Sequence, residues 1–373
     1  MPAETRVNQL SAEAMAVSKA APAPRIYFLD NLKVFLTALV VFHHAAQPYG
    51  PGGAWPIASA TNNLLDFVVL GIFMAVNASF FMGLFFLISA YFVPPSLERK
   101  GAARFIKDRL VRLGVPIAVC MIVVFPAMDY LLEGKLDTGL AHLWYLELLL
   151  VFSAVYAAYW LVKRPSSRAK RAFPGTKAIA GFALAMALVS FVVGIWSPEN
   201  QWVPLGLFEP YHLTQYVMLF AAGIIAYREG WIDSIPQTTA KLWSRVAILM
   251  VILLLFVGAA TNSEEFSGGL TLASLLGTVW EAFMCVSMCI ALLALFKNRY
   301  NSQSPFTKAL ANNAFTVYLI HLPIVIFLQY LLIGVPLESL LKFAIVGIAG
   351  VILSFAISHY GIRRLPYATY VLG

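Results

Sequence analysis

The chain has 373 residues, of which 60% are hydrophobic and only 12% are charged. Soluble domains carry about 25% charged residues, so this composition excludes a set of soluble domains and indicates an integral membrane protein. The formal net charge is +8, and in a membrane protein such a charge is interpreted first through topology and lipid contact.

Residues 1–24 are rich in Ala and Pro and contain scattered charges, without the apolar stretch of a secretory signal. We expect this segment to be a disordered cytoplasmic tail. We expect residues 25–373 to form a single membrane domain.

A bilayer core is about 30 Å thick and is crossed by about 20 apolar residues in a helix. Ten segments meet this requirement, and the second is long enough to be tilted or broken, near Asn77. The segments are 33–50, 64–93, 113–132, 142–162, 177–197, 211–227, 243–260, 270–296, 311–333 and 339–362. The predicted fold class is all-α, a polytopic helical bundle with about ten transmembrane helices.

The positions of Lys and Arg orient this bundle. If the N-terminus is inside, every Lys and Arg except Lys135 and Lys342 falls in a cytoplasmic segment, as the positive-inside rule requires. We therefore predict that both termini are cytoplasmic. The positive charge then contacts membrane lipids, and we expect no nucleic acid partner.

The three cysteines give no sign of a disulfide framework. Cys120, Cys285 and Cys289 all lie in apolar segments, at spacings typical of neither disulfides nor metal sites. We interpret them as packed side chains and expect no metal site.

The strongest candidate site lies in the first span. Lys33 and His44 are eleven residues apart, which places them on one face of a helix, about 17 Å apart along its axis. Ionisable groups in a bilayer are costly, and the adjacent histidines His43 and His44 must each find partners there. Such a helix can hold the two ends of one long ligand. Taken alone, Lys33 also suits a positive-inside anchor, and a single buried histidine suits a packing role.

Two further groups follow the second span. Arg109 and Arg112 are three residues apart in the basic stretch 99–112, and guanidinium groups bind phosphates in bidentate fashion. Contact with anionic lipids is the alternative for this stretch. The preceding segment, 85–92, contains Ser89 and Ala90, whose small side chains permit close helix packing.

Buried polar residues recur later in the chain. Glu147 lies within the fourth span and requires a partner. Pro323 is expected to kink the ninth span and to free backbone acceptors near His321. The other polar residues of this kind are His142, His212 and Glu281, whereas His359 near the end of the last span is interpreted as structural.

Taken in order, these motifs resemble those of the acyltransferase-3 family of membrane acyltransferases. Lys33 and His44 match its Arg/Lys-x10-His motif, and residues 109–112 match its Arg-x-x-Arg motif. Residues 85–91 are similar to its Phe-Phe-x-x-Ser-Gly-Tyr/Phe stretch, and residues 318–323 to its Tyr-Leu-x-His-x-Pro stretch. The resemblance runs from about Arg25 to the C-terminus, and it is greatest with the branch of glucan-modifying succinyltransferases.

The sequence departs from the family pattern in two places. The family glycine after the serine is Ala90 here, which adds a methyl group where helices pack closely. Glu147 stands in Trp-Tyr-Leu-Glu instead of the family's Trp-Ser-Leu-x-x-Glu, so its family role cannot be carried over. Some members have a fused soluble hydrolase-like domain, and because no such domain is found in this sequence, a periplasmic partner protein is an expectation.

The resemblance implies an O-acyltransferase of the bacterial cytoplasmic (inner) membrane. Its donor substrate would be acyl-CoA, either acetyl-CoA or succinyl-CoA, with no permanently bound cofactor, and its acceptor would be a hydroxyl of an extracytoplasmic glycan. The CoA phosphates would meet Arg109, Arg112 and Lys33. His44 would be the general base, with His43 as the alternative, and transfer would be direct or pass through an acyl-histidine. We further expect Asp30, Ser89, Glu147 and His321 to support the site, of which Glu147 is included because it lies within a span and not because of the resemblance.

Two other classes of function fit parts of the sequence. In a proton-coupled secondary transporter, the buried histidines with Glu147 and Glu281 would form a proton relay, although no paired half-chain repeats are visible. A non-catalytic scaffold that binds lipids or a partner would explain the basic loops, but it would leave the spacing of Lys33 and His44 without a purpose. Proton-coupled uptake into vesicles without acyl-CoA would favour the transporter.

Overall fold

The computed structural model describes residues 25–51, 55–57, 59, 63–134, 139–165, 170–260, 268–366 and 368–372. Within these residues, every regular element is helical. The predicted tail, residues 1–24, lies outside the described part of the chain.

Ten long helices follow one another along the chain, at the places predicted for the ten spans. They are α1 (Tyr27–Ala46), α2 (Leu64–Tyr91), α3 (Ala102–Leu132), α4 (Trp144–Lys163), α5 (Thr176–Trp196), α6 (Pro210–Glu229), α7 (Gln237–Ala260), α8 (Leu272–Arg299), α9 (Pro305–Leu331) and α10 (Ser339–Ala356). Short helices extend or precede some of them, namely Val93–Lys100 after α2, Ala141–Leu143 before α4 and Ala368–Leu372 after α10.

Nine of the helices in the described residues are long and apolar enough to cross a membrane. This finding confirms the prediction of an all-α polytopic membrane bundle. The remaining helix, α6, has 20 residues but is more polar, because it carries buried His212 and Gln215 inside the bundle. It nevertheless packs extensively against α2, so it is an integral part of the same bundle.

Helix α1 begins and ends earlier than the predicted span 33–50. Its end at Ala46 has a local cause, because Pro48 follows closely and helices usually end at or before the residue preceding a proline. His43 and His44 therefore lie in the last turn of α1.

Helix α2 forms the centre of the bundle. Residues 79–88 are all buried, and a helix that is buried on every side lies inside a protein core. The helix runs without interruption through Asn77, so of the two alternatives for this long span, a tilt or a break, the break near Asn77 is not found. The irregularity instead lies at Phe92, between α2 and the short helix that continues it.

Helix α6 comes closest to α2 at Gly223. A Cβ atom placed on Gly223 would collide with the carbonyl oxygen of Leu87 and would lie 2.8 Å from the Cβ of Ala90. Ala90 is fully buried, and its methyl group faces a position where α6 has no side chain. The glycine in the facing helix thus accommodates the alanine that replaces the family glycine.

Candidate active site

Three histidines from distant parts of the chain meet at the end of α1. His44 lies in α1, His142 in the short helix Ala141–Leu143, and His321 in α9. The ring centroids are 4.6 Å apart for His142 and His321, 5.0 Å for His44 and His321, and 6.3 Å for His44 and His142. His142 and His321 are buried and His44 is half-buried. We call these three residues the histidine cluster.

The hydrogen bonds of His321 determine where the protons of the cluster lie. Its Nδ1 is 2.7 Å from the carbonyl oxygen of Tyr318, so Nδ1 carries a proton and donates it. In the neutral ring Nε2 is then an acceptor, and it lies 3.0 Å from Nδ1 of His44. His44 Nδ1 is also 3.1 Å from the carbonyl oxygen of Val40, so it is the protonated nitrogen and faces two acceptors. In neutral His44 the lone pair is therefore on Nε2, where a general base requires it.

His142 completes the cluster through Tyr318. Its Nε2 lies 2.9 Å from the carbonyl oxygen of Tyr318 and donates to it, while the Tyr318 hydroxyl donates to the carbonyl oxygen of His142. Its Nδ1 is buried and has no hydrogen-bond partner in the described part of the chain. A buried acceptor without a partner is unfavourable, so a donor on a bound molecule would stabilise this site.

Backbone acceptors of α9 lie beside the histidine cluster, close to Pro323. Helix α9 continues through Pro323, which has no amide proton to give to the carbonyl oxygen of Leu319. His142 and His321 both donate to the neighbouring carbonyl oxygen of Tyr318, and the Leu319 carbonyl also lies close to the His142 ring.

Trp55 and Gln329 cover His44. The Trp55 ring stacks on the His44 ring with centroids 5.6 Å apart, and its Nε1 donates to Oε1 of Gln329 at 2.9 Å. Nε2 of Gln329 donates to the carbonyl oxygen of His44 at 2.9 Å. These contacts hold the end of α1 and restrict how the His44 ring can turn.

His43 points to a different neighbour from His44. Its ring lies 5.0 Å from that of Phe81 in α2, and its Nε2 is 3.3 Å from Nε2 of Gln47. Its Nδ1 is buried without a partner among the described residues. His43 thus lies beside the cluster and makes none of the hydrogen bonds that orient His44.

Lys33 lies toward the opposite end of α1. It forms an ion pair with Asp30 at 2.8 Å, and its ammonium group lies 5.1 Å from the centre of the Phe92 ring. Because α1 is continuous from Tyr27 to Ala46, Lys33 and His44 are separated by about 17 Å along one helix.

Arg109 and Arg112 differ in burial. Arg109 is half-buried, with its guanidinium group 5.2 Å from the centre of the Phe105 ring, whereas Arg112 is exposed. A π-helical turn, Leu110–Gly114, begins directly after Arg109. Arg112 lies inside this turn, so the rule that places residues three apart on one face of an α-helix does not apply to the pair.

Ser89 and Tyr145 lie between Arg109 and the histidine cluster. Ser89 Oγ and the Tyr145 hydroxyl are 2.7 Å apart, and the Tyr145 ring is 5.6 Å from the Tyr318 ring. Arg109 is close enough to Tyr145 to interact with it electrostatically. Tyr145 thus connects the basic stretch with Tyr318, which bonds two histidines of the cluster.

Glu147 has no place in this arrangement. One of its carboxylate oxygens, Oε2, is buried and has no hydrogen-bond partner in the described residues. The partner predicted for Glu147 is therefore not found within those residues.

Sequence reasoning identified part of the cluster and missed the rest. His44 and His321 stand in recognisable motifs, whereas the sequence marks His142 only as a polar residue of the fourth span. Trp55 and Gln329 are 274 positions apart, and no local pattern links them to each other or to His44.

The similarity of this chain to known proteins extends over the region that contains the histidine cluster. A family model for the acyltransferase domain, of the acyltransferase-3 type, matches residues 26–359, a range that includes the whole histidine cluster. The chain is 24% identical over 337 residues to glucans biosynthesis protein C of Salmonella heidelberg (strain SL476), which covers 82% of this chain and 84% of that protein. It is 23% identical over 337 residues, with the same coverage, to proteins of that name from Salmonella paratyphi B (strain ATCC BAA-1250 / SPB7) and Salmonella enteritidis PT4 (strain P125109).

Proposed function

The chain belongs to the acyltransferase-3 family of membrane acyltransferases, and from this premise we propose that it transfers an acyl group from cytoplasmic acyl-CoA to a hydroxyl of an extracytoplasmic glycan. The family resemblance drawn from the motifs is confirmed. The CoA donor, the acyl group and the acceptor are parts of the proposal.

The orientation of His44 is the observation that carries this proposal. Its Nδ1 faces two acceptors, Val40 O and His321 Nε2, so the lone pair on Nε2 is free for chemistry. Removing a proton from a sugar hydroxyl requires such a neutral, oriented imidazole. His321 supports His44 as the orienting residue of a catalytic triad supports its base.

The proposed step is attack of the acceptor oxygen on the thioester carbonyl carbon. His44 Nε2 takes the hydroxyl proton as the new C–O bond forms. The C–S bond then breaks, CoA leaves as a thiolate, and the imidazolium returns the proton to give the CoA thiol. The Trp55 ring stacked on His44 stabilises the transient cation, and the free Nδ1 of His142 offers an acceptor to a second hydroxyl of the sugar.

The basic residues provide the donor end of the site. We assign the CoA phosphates to Arg109, Arg112 and Lys33, because guanidinium and ammonium groups bind phosphate oxygens strongly. The hydroxyl groups of Ser89 and Tyr145 lie between Arg109 and the histidine cluster. They are suited to bond the amides of the pantetheine arm as it reaches toward His44.

The glycan acceptor is inferred from the relatives, which are named for the biosynthesis of glucans. A gluco-oligosaccharide is therefore the first acceptor to test, with acetyl-CoA and succinyl-CoA compared as donors. The extracytoplasmic side follows from the predicted topology, in which the outer end of α1 carries His44. The bacterial cytoplasmic membrane is the expected location.

The test uses the full-length protein purified in detergent, with radiolabelled acyl-CoA and gluco-oligosaccharides, and measures the ester formed. We expect His44→Ala to lower the rate at least about 100-fold, because a general base contributes about 10²–10⁴-fold. The matched control is His359→Ala, since His359 is exposed and contacts Asn313 instead of the cluster. It should transfer at the wild-type rate.

Two results would contradict the proposal in different ways. If folded His44→Ala protein transfers as fast as wild type, His44 is not the base, and His43→Ala becomes the variant to compare. If the wild-type protein binds neither acetyl-CoA, succinyl-CoA nor free CoA in calorimetry, the donor is not an acyl-CoA.

A further inference from the structure

A second buried polar group lies among α5, α6 and α8. Its centre is His212, whose Nδ1 is 2.5 Å from Glu209 and whose Nε2 is 3.0 Å from Glu281. Glu209 directly precedes α6 and also accepts a hydrogen bond from the backbone amide of Asn200. We call Glu209, His212 and Glu281 the carboxylate–histidine group. The proposed acyl transfer makes no use of it.

The charges of this group do not balance. Both ring nitrogens of His212 face carboxylates, so both donate and the ring is cationic when the two carboxylates are ionised. One negative charge then remains. Within the described residues, no Lys or Arg forms an ion pair with Glu209 or Glu281. The neighbouring Glu199 carboxyl lies in the connection between α5 and α6, and burial raises its pKa. A carboxyl group is either neutral or negative, so Glu199 adds no positive charge to this group. An unbalanced charge inside a membrane protein is strongly unfavourable.

A small cavity adjoins the carboxylate–histidine group. It has room for about one water-sized occupant, and the oxygen-bearing side chains that line it belong to Ser190, Gln215, Thr278 and Glu281. These residues come from α5, α6 and α8. The cavity thus offers several oxygen atoms to a single small guest.

Gln215 is a second, independent observation that points to a ligand of this cavity. Its side-chain amide nitrogen lies 2.5 Å from the carbonyl oxygen of Ser79 and 2.7 Å from Sγ of Cys285, which fixes which end of the amide is oxygen. Its Oε1 is buried and has no hydrogen-bond partner among the residues that the structure describes, and the whole residue is only 3% exposed. Gln215 therefore brings an unused acceptor to the cavity.

We propose that the cavity binds one monovalent cation, Na⁺, through Glu281, Gln215 Oε1 and the hydroxyl groups of Ser190 and Thr278. Oxygen ligands suit a hard cation, and one positive charge balances the one negative charge of the carboxylate–histidine group. A divalent cation would leave a net positive charge in the same place. The bound ion would connect α5, α6 and α8 near the ends that the predicted topology places outside.

The test measures Na⁺ binding by the full-length protein in detergent, without any acyl-transfer assay. We expect saturable binding of ²²Na⁺, and a Tm that rises with NaCl but not with choline chloride at the same ionic strength, since a ligand of the folded state stabilises it. Ser190→Ala removes one ligand oxygen and should weaken the affinity for ²²Na⁺ at least about tenfold, because even outer-shell partners of metal sites contribute this much.

Ser153→Ala is the matched control, because Ser153 is also a buried serine but lies in α4, outside the cavity. It should keep the wild-type affinity. Glu281→Gln should abolish ²²Na⁺ binding, and if that variant does not fold, Ser190→Ala carries the test. The Tm of each variant in choline chloride separates a loss of folding from a loss of binding.

Three outcomes would overturn the proposal. They are no saturable ²²Na⁺ binding by the folded wild-type protein, equal affinities in the Ser190→Ala and Ser153→Ala variants, and a Tm that depends on pH but not on Na⁺. The last outcome would assign the balancing charge to a proton. None of these outcomes bears on the proposed acyl transfer, so each proposal can fail alone.

Discussion

In the proposed reaction, His321 acts only by positioning His44. Its Nδ1 is bonded to Tyr318 O and its Nε2 to His44 Nδ1, so it positions the base and does not meet the donor. We predict that His321→Ala lowers kcat about 100-fold or more, as loss of an orienting partner does in triads, and leaves the KM for acyl-CoA unchanged. His321→Gln should restore part of kcat, because its side-chain oxygen can accept from His44 Nδ1. Steady-state kinetics separate the two parameters, and a change in KM alone would contradict a positioning role.

Variants of Arg109 and Arg104 can distinguish specific binding of the CoA phosphates from a general attraction by positive charge. Both lie in α3, but Arg109 is half-buried over Phe105 whereas Arg104 is exposed. A hydrogen bond to a charged group contributes about 1.5–3 kcal/mol, so we predict that Arg109→Ala weakens CoA binding at least about tenfold. Arg104→Ala, which removes the same charge, should leave binding nearly unchanged. Calorimetry with CoA measures both, and equal effects would favour a lipid-binding role for the whole basic stretch.

The residues of the site differ in how far the sequence could reveal them. Lys33 and His44 could be predicted from the sequence because their spacing on one helix is fixed by helical geometry. His321 could be predicted because it lies two residues before Pro323 within a span. Trp55 could not be found in this way, because its contact with His44 depends on the path of the chain after α1. The proton positions in the cluster also required the structure, since they follow from the distances to Tyr318 O and Val40 O.

At the scale of helices, the close contact of α2 with α6 depends on Gly223. An added methyl group would meet the backbone of Leu87 and the side chain of Ala90, and overpacking typically costs about 1–3 kcal/mol. We predict that Gly223→Ala lowers the Tm, while Gly181→Ala in α5 does not, because within the described part of the chain no atom beyond its own helix lies within 4 Å of the added Cβ. A thiol-reactive dye can follow unfolding, since all three cysteines are buried. Equal Tm values for both variants would show that α2 and α6 can move apart at this point without a loss of stability.

The helices were easier to predict than their ends. Apolar segments predicted the positions of the ten long helices in the described residues, because a membrane span requires about 20 such residues, although one of these helices, α6, is more polar than the others. The predicted end of α1 was wrong, since Pro48 follows the helix closely, and the break offered as one alternative for α2 is not found, since Asn77 is tolerated inside that helix. The Gly223 contact could not be predicted, because small residues in two helices meet only when their relative rotation is known.

For the whole molecule, the orientation in the membrane depends on whether α6 crosses it. Nine helices of the described residues have the apolarity of spans and α6 does not, yet the positive-inside pattern is consistent only if α6 also crosses. An odd number of crossings would place the two termini on opposite sides. Every loop after α6 would then lie on the opposite side of the membrane. A substrate would therefore reach His321 on α9 from the other side.

Cysteine labelling on intact cells decides this question. Trp202 lies between α5 and α6 and is 45% exposed, and Gln237 begins α7 and is also exposed. We predict that an impermeant maleimide labels Trp202→Cys in intact cells but labels Gln237→Cys only after the membrane is opened. The native cysteines are buried and should add little background. If both positions react in intact cells, α6 does not cross, because its two ends then face the same side. The extracytoplasmic acceptor site would in that case have to be assigned again from the inverted arrangement of α7 to α10.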